Sequence, residues 1–127
     1  MPASEFPNPL VKQVTDNSQA IARSSGTGTL NTNYISSGHC EYEKFGKLVV
    51  VSFDISFSSI PSSGTSFITG LPAKGVTYNV FGVGAMDNTN KEAVRIEVTT
   101  TGALRFNYGA TPSSTGNCSG EVIYFTN

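Results

Sequence analysis

From Leu30 to the end of the chain, apolar residues recur at every second position, the period of a strand with one buried face. Lys47 to Ser58 carries the clearest pattern, with Val49, Val51, Phe53, Ile55 and Phe57 on one side and Ser52, Asp54, Ser56 and Ser58 on the other. Val94, Ile96 and Val98, then Leu104, Phe106 and Tyr108, alternate with polar residues about a Thr100, Thr101, Gly102 turn, which predicts a hairpin. Cys40 and Tyr42 alternate with Glu41 and Glu43 in a shorter strand that ends at Gly46. Ser66 to Leu71 forms another, preceded by the turn Pro61 to Gly64 and stopped by Pro72. Val76 to Met86 is apolar on both faces around Gly82 and Gly84, glycines that mark a bulge or a close backbone approach. Val122 to Phe125 is an unbroken apolar run within Glu121 to Thr126, as expected of a strand covered on both sides. About seven short strands at this spacing predict an all-β fold, an antiparallel β-sandwich or jelly roll.

The first 28 residues read differently, as a connector before a head domain spanning 29–127. From Pro9 the segment permits a short helix, with the proline in its first turn. Leu10, Val14, Asn17 and Ile21 then fall on the seam of a coiled coil, Asn17 being its polar member. So short a seam is marginal alone. An oligomer stalk, an amphipathic helix docked on its own domain and a disordered leader all remain open. Ser24 to Gly28 reads as a flexible hinge.

A length of 127 residues suits one hydrophobic core. The charged fraction of 13% is low, and Ser, Thr, Asn and 13 Gly take its place, the composition of short strands joined by turns. A net charge of −1 offers no field for phosphates, so neither nucleic acid nor an anionic membrane is expected as a partner. No apolar run approaches the roughly 20 residues of a membrane-spanning helix. The stretch Met1 to Pro9 lacks the pattern of a signal peptide. Cys40 and Cys118, the two cysteines, are too few for a structural zinc site. They either form one disulfide between terminal strands or lie buried and reduced.

Catalytic chemistry finds little support. His39 is the single histidine, there is no Gly-x-Ser-x-Gly elbow, and His39 reads as a surface residue. Neither Gly26 to Gly28 nor Gly82 to Gly84 continues into a phosphate loop. The acidic residues are dispersed rather than paired as in a glycosidase. Asp87 to Glu92 is the most polar loop, but Lys91 and the missing glycine favour a plain turn over a calcium loop. Asn117, Cys118 and Ser119 match the N-glycosylation pattern, which is too short to carry weight. No catalytic residue, metal or cofactor is expected; the chain reads as a binding or assembly module. Trp is absent, leaving five Tyr as the groups on which a sugar could stack.

The run from Cys40 through Gly46 and Lys47 into Val49, Val50, Val51 and Ile55, followed by Ser63, Gly64, Thr65 and on to Gly70, Leu71, Pro72 and Lys74, resembles the distal domains of tailed-bacteriophage tail fibres and receptor-binding proteins. It covers about Thr29 to Asn127, and Leu10 to Ile21 resembles the end of a fibre shaft. Trimeric jelly rolls of the tumour-necrosis-factor and C1q kind share much of it. The resemblance implies a homotrimer in the virion, at the tail tip or baseplate, made in the host cytoplasm, whose heads contact a host-surface glycan or protein without membrane insertion. It fixes no ligand motif. On chemistry alone, Asp87, Asn88 and Asn90 in the polar loop and Arg105 with Tyr108 on the hairpin are the candidate ligand-binding residues. A structural virion part without receptor affinity and a cellular carbohydrate-binding or adhesion module are the alternatives.

Overall fold

A computed structural model describes residues 23–127, so the expected helix and its seam, Leu10, Val14, Asn17 and Ile21, lie outside the described residues. Nine strands follow in chain order: β1 (Arg23–Thr27), β2 (Thr29–Leu30), β3 (Ile35–Phe45), β4 (Leu48–Phe57), β5 (Ser66–Thr69), β6 (Val80–Asp87), β7 (Ala93–Val98), β8 (Leu104–Phe106) and β9 (Gly116–Phe125). Every pairing is antiparallel, in the order β1-β3-β4-β9-β6-β7-β8-β5-β2. The all-β antiparallel expectation holds. The strands hydrogen-bond as one continuous nine-stranded sheet, however, nearer to a barrel than to two separate layers.

The sheet comes close to sealing on itself because its two terminal strands are consecutive in the chain. β1 pairs with β3 and β2 pairs with β5, with Gly28 between them. The expected hinge at Ser24 to Gly28 is therefore corrected: Arg23 to Thr27 is strand, and the Gly28 amide donates to the Cys40 carbonyl at 2.9 Å. Gly28 is needed for closeness rather than freedom, since a Cβ there would lie 2.7 Å from Ile68 Cγ2 and 2.9 Å from Cys40 Sγ.

The core lies inside this curl. Val49, Val51, Phe53, Ile55 and Phe57 of β4 are buried, as their alternation predicts, with Val94, Ile96, Val98, Leu104 and Phe106 of the hairpin opposite. Phe57, Phe67 and Phe106 meet with ring centroids 4.8–5.4 Å apart and plug the interior. Nearer the start of β4, Tyr124 stands opposite Val49 and is also buried, its hydroxyl donating to the Pro72 carbonyl at 2.6 Å.

Two further expectations change, and one open alternative is decided. β9 is covered on one side only, because Val122 and Tyr124 point inward while Ile123 and Phe125 are about half exposed. Tyr108 lies beyond β8 and is 91% exposed instead of continuing the core face. Of the two readings for Gly82 and Gly84, close approach is the observed one: both are buried, and a Cβ on Gly84 would lie 2.9 Å from Cys118 Sγ and Ile96 Cδ1. The cysteines are free and buried. Cys40 is on β3 and Cys118 on β9, with β4 between them, which sets them about two strand spacings, nearly 10 Å, apart and beyond the reach of a disulfide.

Candidate functional site

The strands cross the molecule between two ends. Arg23, Phe45, Leu48 and Phe125 share one end through their pairings. Ile35, Phe57, Gly116 and Asp87 mark the other, where the β2–β3, β4–β5, β6–β7 and β8–β9 loops gather. β4 alone, at about 3.3 Å per residue, separates the ends by roughly 30 Å.

On the outer face beside those loops, four strands bring a polar cluster together. β3 sets His39 opposite Asp54 of β4, β9 sets Ser119 opposite Asp54 and Asn117 opposite Ser56, and β6 sets Asp87 opposite Asn117. The inward residues of the same strands, Phe53, Ile55 and Cys118, hold the backbone against the core, so period two forces their neighbours outward. Asp54 is the hub. Its Oδ1 accepts from Asn117 Nδ2 at 2.8 Å and Ser119 Oγ at 3.0 Å. Those two hydrogen bonds, the Asn117 one first, hold its carboxyl below the usual range. The result is an ionised, oriented carboxylate on an exposed face, flanked by an imidazole, an amide and hydroxyls.

The loops behind this face are tied to each other. Glu92 accepts from Ser113 Oγ at 2.5 Å, from the Ser113 amide at 3.0 Å and from Asn88 Nδ2 at 2.8 Å, and the Ser113 bonds in particular keep it ionised to lower pH than an ordinary Glu. Asn90 Nδ2 donates to Ser113 Oγ at 2.9 Å. The β6–β7 and β8–β9 loops thus act as one rim rather than two free flaps.

Of the residues singled out from the sequence, Asp87 is exposed, pairs with Lys91 and adjoins the Asp54 cluster through Asn117. Asn88 is buried and spends its amide on Glu92 and the Ser114 carbonyl, so its part is structural. Asn90 is exposed on the rim. Arg105 is half-buried and engaged with Glu97 at 3.0 Å. Burial pushes the Glu97 carboxyl up, but bonds from Arg105 and Asn107 outweigh it and hold the group low. Arg105 and Tyr108 line a separate depression of about 180 Å³ with Ser63, Gly64 and Asn107. The five residues therefore do not form one site. Sequence reasoning missed Asp54, Asn117, Ser119 and His39 as a unit; the visible trace was the outward row Ser52, Asp54, Ser56, whose partners lie more than 60 residues away.

Among the described residues no three His, Cys, Asp or Glu side chains gather as metal ligands. No protein-family model matches the sequence, and no curated protein matches it. Among solved structures, the chain is similar to the crystal structure of the receptor binding protein (gp15) of Listeria phage PSA, with a TM-score of 0.61 and 18% identity, covering 94% of this chain and 74% of that one. At that identity, what the two chains share is the fold.

Proposed function

We propose that the chain is the receptor-binding head of a tailed-bacteriophage fibre or tail tip, attaching to a host-surface glycan without catalysis, and that it works as a homotrimer in the virion. One observation carries this: the Asp54 cluster places a carboxylate, an amide and hydroxyls already oriented by one another on a single exposed face, with the His39 imidazole on the neighbouring strand. Such a row matches the hydroxyls of a sugar chain, and orienting the groups beforehand lowers the ordering cost of binding. The exposed ring of Tyr108 beside its depression offers a second, stacking contact at the same end. The fold shared with a phage receptor binding protein supports the same reading.

The test is adsorption of the labelled full chain to candidate host cells, with purified wall polysaccharide as competitor. Saturable binding that the polysaccharide displaces is expected. Asp54→Ala should weaken it by roughly tenfold or more, because hydrogen bonds to a charged group are the stronger ones in such a site. Binding that the polysaccharide leaves untouched would move the receptor to a protein. An absence of binding to any host cell would sink the receptor reading in favour of a structural virion part.

A further inference from the structure

Toward the Arg23 end the same outer face turns apolar. Val50 stands opposite Ile123 and Leu48 opposite Phe125, while Val83 stands opposite Glu121 on the neighbouring pair. Val83 is 66% exposed, Ile123 50%, Phe125 53% and Phe81 38%, with Tyr78 at 64% just before β6. Side chains of this size cover roughly 150–250 Å² each at the aromatic end, so their exposed parts sum to on the order of 500 Å². That reaches the range in which a surface patch serves a partner, and is a large share of the roughly 800 Å² each partner gives to a stable interface.

β6 shows that this face is not a by-product of the core. Its inward positions are Gly82, Gly84 and Met86, and its outward ones are Phe81, Val83 and Ala85. A strand serving only its own fold would place its bulk the other way round. The charges around the patch are also unequal. Arg95, exposed beside Val83 and 5.4 Å from the Phe81 ring, stands on the β7 flank. Glu41 and Glu43 stand on the β3 flank, at a depression of about 340 Å³ that Val50 also lines. Among the described residues, neither Arg95 nor Glu41 has a salt-bridge partner.

We infer that this face is the contact between copies of the chain, the β6–β7 flank of one copy (Phe81, Val83, Arg95) seating on the β3–β4 flank of the next (Glu41, Glu43, Val50). Apolar bulk then meets the depression and the guanidinium meets the carboxylate of Glu41, beside a Glu43 that Arg23 already holds at 3.3 Å. Because the two flanks are different surfaces, the contact is head-to-tail, the kind that gives a ring when its rotation closes. It uses none of the residues of the Asp54 cluster, which it adjoins through Glu41 and Ser52, and it does not depend on what that cluster binds.

Sedimentation or light scattering of the full chain at micromolar concentration tests it. An oligomer is expected, and Val83→Asp and Arg95→Glu should each weaken association by roughly tenfold or more while β circular dichroism is kept. Glu41→Arg combined with Arg95→Glu should recover association, since the pair is restored with its signs exchanged. A monomeric parent protein, or variants that are folded and unchanged in mass, would overturn the assignment. Arg95 is exposed, so its variant reports even where an aspartate at position 83 disturbs folding.

Discussion

Cys40 and Cys118 are protonated core residues. Burial pushes their thiols up from 9.0 to about 11 and about 12, respectively. In the unfolded chain both ionise near their ordinary value, so above about pH 9 the unfolded state binds fewer protons than the folded one. Their contribution is complete below that pH and is lost as the pH climbs through the folded values. Urea midpoints followed through the alkaline range should fall, and Cys118→Ala should make the fall shallower; an equal slope would show that other groups govern it. In the native protein neither thiol should react with a disulfide reagent until the chain unfolds. Asp54 shows the opposite sign. Its carboxyl titration, followed by NMR, should lie below the ordinary 3.8 and move up in Asn117→Ala, because the removed amide favours the ionised form. The choice of which cysteines and which aspartate matter was half legible: alternation placed Cys40 inward and Asp54 outward, but their surroundings come from β4 and β9, and nothing local encodes that neighbour.

β4 is the element in which local pattern and final structure agree most fully, since its five inward residues are all buried and its outward side is polar from Ser52 onward. β6 is the contrary case. Its glycines were visible, yet which face they occupy depends on register with β9, where Gly84 lies opposite Gly120. The β1–β2 segment departs from its local pattern for a related reason: a run of Ser, Gly and Thr has the composition of a linker, and the segment becomes a strand only because β3 and β5 supply partners on two sides. Gly28→Val should accordingly cost about 1–3 kcal/mol by overpacking against Ile68, Cys40 and Leu71. Gly46, in a positive-φ turn with open space around it, should lose only the turn preference on Gly46→Ala, about 1–2 kcal/mol. Chemical denaturation of both variants distinguishes crowding from strain, and a Gly28 variant as stable as the parent would refute the close-packed closure.

The molecule as a whole is polarised, with a polar end around Asp54 and an apolar flank toward Arg23 on one outer face. The proposed receptor contact and the proposed contact between copies are then separable. Val83→Asp should leave the affinity of a single head for a soluble oligosaccharide unchanged but reduce retention on cells by roughly 10²–10⁴, because linked heads rebind at high effective concentration. Asp54→Ala should lower the single-head affinity without altering mass. A parallel loss of both properties in either variant would mean that the two ends are coupled. The aromatic plug of Phe57, Phe67 and Phe106 fills the interior, and Phe67→Ala should cost about 3–5 kcal/mol of unfolding free energy by denaturant titration.

Alternation and turn residues alone determined that the chain is an antiparallel β protein, where most of its strands run and which side of β4 is buried, because strand periodicity is a local property with a period of two. Only tertiary structure decided that the sheet is continuous, that Gly28 brings its terminal strands together, that β6 and β9 turn bulky apolar residues outward, and that Asp54 meets Asn117 and Ser119. Each of these depends on which strands are neighbours and in what register. A slip of one residue exchanges the two faces without altering the local pattern.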